Sequence, residues 1–280
     1  MYPTIVDFGL FGIHSFGLML ATAFITAVFV IQSELKRRGF IPELASTIVM
    51  AAAIGGIVGA KIYSALLDGH FSFRELFSTA GLVWYGGFIG GCLCVAFVVI
   101  RSPNPSLPTL DCVGPAVILG YGIGRIGCLL AGDGDYGPPS DVPWAMAFPN
   151  GTVPTDVPVH PTPIYETLMS CTFFGILWSQ RRKLETMPGV IFGASFVLLG
   201  VERFIAEFWR ITPRVWGWMT AAQILSIVAF VGGIAFILWM RTRPRVVEGV
   251  VEDLAGETET AREKPEPRQR NRSRRRRQRR

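Results

Sequence analysis

Residues 8–33 read FGLFGIHSFGLMLATAFITAVFVIQS, with no Asp, Glu, Lys or Arg, and Lys36, Arg37 and Arg38 follow almost at once. A hydrocarbon layer about 30 Å thick is crossed by a helix of about 20 mostly apolar residues. This stretch is long enough, and the basic triplet behind it has the character of a membrane boundary. Two more uncharged runs, 76–100 and 215–240, repeat the pattern. Seven segments qualify or nearly do: about 13–33, 44–66, 81–100, 110–131, 163–180, 188–208 and 220–240. The expected fold class is therefore all-α, a polytopic membrane protein with seven transmembrane helices.

The composition excludes the common alternatives. Half of the 280 residues are hydrophobic, 17% are charged and the mean hydropathy is +0.40, whereas globular chains carry about 25% charged residues. Cys92, Cys94, Cys112, Cys128 and Cys171 are odd in number and lie in or beside apolar runs, which argues against a disulfide-stapled secreted module. Neither a basic leader nor a small-residue cleavage site precedes Asp7, so the first apolar run is expected to be a helix of the mature protein.

Orientation follows from the short loops. Lys36, Arg37 and Arg38 follow span 1, Arg101 follows span 3, Arg181, Arg182 and Lys183 follow span 5, and Arg241, Arg243 and Arg245 follow span 7. The alternate loops hold only Arg74 in one and Arg210 and Arg214 in another, and no Lys or Arg occurs from 126 to 180. The expectation is an N-terminus outside and a cytoplasmic C-terminus. The proline-rich loop 132–162 is then external and not helical for long. No internal repeat of the kind found in many transporters is present.

Charge divides the chain. Residues 241–280 hold 14 basic and 7 acidic residues, and the remaining body holds 13 and 14. The expected division is a transmembrane domain over 1–240 and a disordered basic cytoplasmic tail over 241–280. Residues 268–280 contain nine arginines and little that could form a core. Such a tail would adhere to anionic inner-leaflet lipid at about 1 kcal/mol per basic residue; no specific nucleic-acid binding is expected.

Ionisable groups inside spans mark sites by default. Lys61, Arg125, Glu166, Glu202, Arg203 and Glu207 all fall in the outer half of the membrane with this topology, and His14 and Tyr85 share the level. Six helices thus bring polar groups to one outer layer. Two plainer readings stand beside a functional one: snorkelling to the interface, and a structural ion pair between Arg203 and Glu207, four apart on one helix face, with Arg210 three further on. Gly120, Gly122, Gly124 and Gly127 surround Arg125, but no strand precedes them and a dinucleotide loop is rejected. The pairs Gly55/Gly59, Gly86/Gly90 and Gly87/Gly91 suit close helix packing. Gly132 and Gly134, interleaved with Asp133 and Asp135, stand where the fourth helix should break, as a site wall or a simple loop. Three histidines without matching carboxylate or cysteine spacing do not suggest a metal site. Trp209, Trp216 and Trp218 fit an interfacial aromatic belt.

Guanidinium groups grip phosphate through paired hydrogen bonds, so the outer layer suits an anionic lipid headgroup. Gly124-Arg125-Ile126-Gly127, Asp141-Val142-Pro143-Trp144-Ala145-Met146 and His160-Pro161-Thr162-Pro163-Ile164-Tyr165-Glu166 resemble the prolipoprotein diacylglyceryl transferase family. Tyr85-Gly86-Gly87-Phe88-Ile89-Gly90, Arg203-Phe204-Ile205-Ala206-Glu207-Phe208-Trp209-Arg210, Asp111 and Gln223-Ile224-Leu225-Ser226 extend the likeness over about 1–240. The resemblance implies a bacterial inner-membrane enzyme with its active site toward the outer leaflet. It would transfer the diacylglyceryl group of phosphatidylglycerol to the lipobox cysteine of a prolipoprotein, forming a thioether, releasing glycerol phosphate and needing no cofactor or metal. By the same resemblance Arg125 holds the lipid phosphate, Arg203 assists binding or leaving-group departure, and Glu207 and Arg210 order that helix. Tyr85 completes the catalytic set, and Lys61, Asp133, His160, Tyr165, Glu166 and Arg210 line the substrate site.

This chain also departs from the family pattern. Tyr85 stands where the family often has a histidine that is a candidate base, and a phenol with an ordinary pKa near 10 is a poor base unless its neighbours lower it. Cys128 and Ala131 replace asparagines, Asp133 stands at a glutamate position in a segment one residue longer, and Phe16 replaces a tyrosine. A divergent relative that binds anionic lipid with another acceptor or none is the alternative. A transporter or receptor is a more distant one, because the inner half lacks a comparable polar layer.

Overall fold

The computed structural model of the chain describes residues 2–7, 12–68 and 84–242. Among them are seven long helices: α1 Ser15–Arg37, α2 Leu44–Asp68, α3 Trp84–Arg101, α4 Ser106–Ala131, α5 Thr162–Leu184, α6 Val190–Ala206 and α7 Ala221–Thr242. Each coincides with one of the seven expected segments. Four of them, α1, α2, α4 and α7, are long and apolar enough to cross a membrane, and the apolar part of α3 over Gly86–Arg101 is shorter. Only 17% of the apolar window of α7 is buried by protein, so most of that helix's apolar side chains lie on the outside of the helix bundle.

The chain is mostly helical, but the all-α expectation missed three short antiparallel pairs. Strands β1 Thr4–Asp7 and β2 Gly12–His14 form one, β3 Met146–Phe148 and β4 Thr155–Val159 another, and β5 Arg214–Trp216 and β6 Met219–Thr220 the third. All three lie outside the helices, where backbone groups need partners of their own. The second pair stiffens the proline-rich loop 132–162, to which Pro139 adds a bridge with Val159. The basic tail from residue 243 onward, and Arg74, lie outside the described residues.

Helix α4 occupies the centre, packed against α1, α5 and α6, while α2 pairs with α3 and α6 with α7. Glycine permits the α2–α3 approach: a Cβ on Gly55 would stand 2.6 Å from the Gly90 carbonyl oxygen and 2.7 Å from Cys94 Cβ. At one end of the bundle Ile31, Leu35, Ala45, Ile48, Val99 and Cys112 form a buried core. Glu34, 3% exposed, pairs there with Arg37 and Arg181, each at 2.8 Å, and Arg37 also meets Glu185 at 2.5 Å. These contacts bring the C-terminal ends of α1 and α5 together. They also explain why α1 continues four residues past the uncharged run. Asp111, inside α4, accepts the Gly189 and Phe192 amides at 2.7 and 2.8 Å and so caps the start of α6 from a neighbouring helix.

The opposite end is shaped by a helix stop. Gly132 follows α4 with φ 58°, its amide closing on the Cys128 carbonyl, a left-handed cap that glycine takes without strain. A Cβ at this position would also meet Gly151 Cα at 2.7 Å. The chain turns here into loop 132–162, which lies across that end.

Candidate functional site

Arg125 lies two turns before the end of α4, and its side chain is only 10% exposed. Its guanidinium reaches two carboxylates: Nη2 lies 2.6 Å from Glu166 on α5, and Nη1 lies 2.5 Å from Asp135 in the loop. Glu166 is fully buried and serves three arginines, with Arg203 Nη1 at 3.1 Å and Arg210 Nη1 at 3.8 Å on the same carboxylate. Arg203 turns its Nη2 to Glu207 at 3.0 Å, and Arg210 Nε approaches Glu207 at 3.7 Å. Arg210 also pairs with Asp135 through Nη2. Three guanidinium groups and three carboxylates thus form one network across α4, α5, α6 and the loop.

Local structure puts each member in place. Helix α6 ends at Ala206 and tightens into the 3-10 turn Glu207–Trp209, which keeps Glu207 one turn from Arg203 and swings Arg210 back over it. Tyr121, one turn before Arg125 on the same face of α4, donates its hydroxyl to Glu166 Oε1 at 2.7 Å. One turn below Glu166, Ser170 donates to Glu202 at 2.6 Å. The second oxygen of this fully buried carboxylate has no hydrogen-bond partner among the described residues.

The loop supplies the mouth. Asp135 lies outside the spans, and burial alone would raise its pKa, yet Arg125 and Arg210 hold it down at about 2. Asp133 moves the other way, raised by burial; it lies beside the Cys128 sulfur and accepts the Asp135 amide at 3.2 Å. His160 Nδ1 lies 3.0 Å from the Tyr165 hydroxyl, which also receives the Trp144 indole N–H at 2.7 Å. Tyr165 stacks edge-on against Trp209 with ring centroids 5.9 Å apart. Thr162 donates to the Trp209 carbonyl at 3.0 Å, locking the His160 segment to the turn that carries Arg210.

Ligand atoms of Cys128, Asp133 and Asp135 come within 4.8 Å of one another, the spacing of a metal cluster. Arg125 Nη1 stands among them, 3.3 Å from the Cys128 sulfur and 2.5 Å from Asp135. A fixed cation at that distance opposes a metal ion there.

A family model described as prolipoprotein diacylglyceryl transferase matches residues 3–239. The chain belongs to the prolipoprotein diacylglyceryl transferase family. A Clostridium tetani protein named phosphatidylglycerol–prolipoprotein diacylglyceryl transferase is 32% identical over 238 residues, covering 82% of this chain and 94% of its own length. A Pseudomonas putida protein of the same name is 33% identical over 258 residues, covering 86% and 94%. One from Leptospira interrogans is 29% identical over 248 residues, covering 77% of each.

Of the residues expected to form the site in this transferase-family chain, Arg125, Glu166, Arg203, Glu207 and Arg210 form one network. His160 and Tyr165 form the adjoining wall. Asp133 lies next to that network, but the carboxylate that meets the arginines is Asp135. Lys61 is buried on α2, 7% exposed. Tyr85 falls in the first turn of α3, and its side chain lies outside the described residues. Phe16 packs beside Gly127, where an added Cβ would meet the ring at 3.2 Å. Sequence reasoning passed over Tyr121, and it named Asp135 and Trp144 only within a possible site wall and a family motif, without a role of their own. Tyr121 had a readable signal, its i to i+4 spacing from Arg125.

Proposed function

We propose that this chain transfers the diacylglyceryl group of phosphatidylglycerol to the lipobox cysteine of prolipoproteins in a bacterial inner membrane. We further propose that all seven helices span it, with the N-terminus outside, residues 1–240 forming the catalytic domain and the 241–280 tail in the cytoplasm. The observation that carries the reading is the meeting of Arg125, Arg203 and Arg210 on the buried Glu166 carboxylate, at the end of the bundle remote from the Glu34 cluster. Positive-inside orientation puts that arginine end at the outer leaflet, where an exported prolipoprotein arrives.

In the reaction the cysteine sulfur attacks the glyceryl carbon that bears the phosphate ester. A C–S bond forms, the C–O bond breaks, and its electron pair leaves with glycerol phosphate. Arg125 and Arg210 are placed to hold the phosphate, and Arg203 to meet charge growing on the departing oxygens. Fixed guanidinium groups in a poorly hydrated site stabilise such charge without having to reorganise. Tyr121 and Glu166 keep Arg125 and Arg203 apart and oriented. His160, anchored by Tyr165 and Trp144, is the base this arrangement offers for the thiol proton, with Tyr85 the other. Asp133 and Lys61 complete the lining. No cofactor enters the chemistry.

The test is expression in cells depleted of their own transferase. Diacylglyceryl modification of a reporter lipoprotein is expected, and Arg125→Ala should abolish it; unmodified precursor despite good membrane expression would refute the activity. Truncation after Arg245 should leave modification intact if the tail serves only inner-leaflet adhesion. A second reading, an anionic-lipid-binding relative with another acceptor, draws on Cys128 beside Arg125 and on Phe16. Co-purified phosphatidylglycerol without turnover of any lipobox peptide would favour it.

A further inference from the structure

Asp135 is the one carboxylate of the network that is not built into a helix or turn. Glu166 and Glu207 are buried in α5 and in the 3-10 turn, with side chains 0% exposed, whereas the Asp135 side chain is 31% exposed and sits on the loop after Gly132 and Gly134, whose φ values are 58° and 92°. Its two oxygens face two guanidinium groups from separate elements, Oδ2 toward Arg125 at 2.5 Å and Oδ1 toward Arg210. A lipid phosphodiester presents the same pattern, two unesterified oxygens sharing one negative charge.

Charge balance points the same way. Arg125, Arg203 and Arg210 oppose Asp135, Glu166 and Glu207, three against three. Adding a phosphodiester to the intact network would leave an uncompensated anion in a poorly hydrated place, which is strongly disfavoured. Exchanging the phosphate for one carboxylate keeps the balance, and Asp135 is the carboxylate with a solvent-facing exit.

We propose that Asp135 is a positioning residue that occupies the phosphate seat between Arg125 and Arg210 and is displaced from it by the incoming lipid phosphate. In the empty enzyme it holds the two guanidinium groups in register. On binding it swings out on the loop, and its hold on the arginines sets the affinity for the lipid. This rests on the reading of Arg125 as a phosphate-binding residue.

The experiment measures KM and kcat for phosphatidylglycerol, diluted in phosphatidylcholine nanodiscs, with a lipobox peptide as acceptor. Asp135→Asn removes the competing charge while keeping the shape, and KM should fall about tenfold without a rise in kcat, the scale of one charge-assisted hydrogen bond lost from the competitor. Asp135→Glu keeps a competing anion and should hold KM within about threefold of the wild type, a bound also smaller than one such bond. An unchanged or higher KM for Asp135→Asn, with Arg125→Gln strongly impaired in lipid binding, overturns the displacement but leaves the phosphate seat standing. Unimpaired lipid binding by Arg125→Gln overturns the seat itself. The wild-type protein supplies a check independent of variant folding. Amide exchange of residues 133–136 should quicken when phosphatidylglycerol replaces phosphatidylcholine as the only lipid, and unchanged or slower exchange counts against displacement.

Discussion

Glu166→Gln tests whether the network is held by one buried carboxylate. Glu166 is 0% exposed. It takes Arg125 at 2.6 Å, Arg203 at 3.1 Å and the Tyr121 hydroxyl at 2.7 Å. Glutamine matches its volume but lacks its charge, and its NH2 must face a guanidinium, donor against donor. Two charge-assisted bonds at about 1.5–3 kcal/mol each set a loss of about 3–6 kcal/mol, and breaking a buried ion pair from one side costs about 3–5 kcal/mol. The expected destabilisation is therefore about 3–5 kcal/mol, a large share of the roughly 5–15 kcal/mol that holds an ordinary domain folded. It is read from reversible SDS unfolding of the purified protein in mixed micelles. Tyr121→Phe, which removes one donor to the same carboxylate, serves as the scale and should cost about 1.5–3 kcal/mol. Combining Glu166→Gln with Arg203→Gln should cost less than the sum of the two singles, because each removes the other's partner. A Glu166→Gln protein within about 1 kcal/mol of the wild type, smaller than one charged bond, would refute the reasoning. So would strict additivity with Arg203→Gln.

Four further outcomes follow from the geometry. Gly55→Val should force α2 and α3 apart, since its Cβ would meet backbone of α3 at 2.6 Å; a loss of about 1–3 kcal/mol in the same unfolding assay is expected. Gly124→Ala, whose Cβ would meet no atom of the described residues within 4 Å, should be silent. Asp111→Ala strips two amide partners from the start of α6 and should cost about 2–4 kcal/mol while KM of the folded fraction stays unchanged, because α6 carries Arg203 at its other end. The acid limb of stability should carry an Asp135 signature. Its pKa is lowered to about 2 in the folded protein against about 3.9 unfolded, so its contribution is fully present above about pH 4 and disappears as the pH falls toward 2. Asp135→Asn should flatten that part of the unfolding profile, and an unaltered acid limb would show that the two arginines do not favour the ionised form.

The helices and the arginine network were legible in the sequence for the same reason. A long apolar run has few structural options beside a membrane-length helix, and a charge embedded in such a run must find a partner. That constraint brought Arg125, Glu166, Arg203 and Glu207 to one level from spacing and alternation, while Arg210, in the loop three residues past Glu207, entered through the family resemblance. Local backbone geometry escaped it. Asp133 and Asp135 have the same side chain and nearly the same position in the chain, and periodicity ends at Gly132, where the left-handed cap decides which of them returns toward Arg125. Trp144 likewise entered only as one letter of a family motif in the proline-rich loop, because its hydrogen bond to Tyr165 depends on the β3–β4 pair that folds the loop back over the bundle.

The structural and functional readings of the charged layer, set apart at the level of sequence, are consequences of one arrangement. An empty anion site made of three bare guanidinium groups would repel itself in a medium of low dielectric constant, and the helices carrying them would separate. Glu166 and Glu207 make the cluster stable by sitting between the arginines. The same placement leaves the outward edges of Arg125 and Arg210 aimed at a common point. A network built only for stability would fill that point from a helix, with a carboxylate as buried as the other two. Here it is filled from a loop, by an aspartate with part of its surface in solvent. In the proposed displacement, that difference in burial between Asp135 and its two companions is what would convert an ion-pair cluster holding α4, α5 and α6 together into a seat for a lipid phosphate.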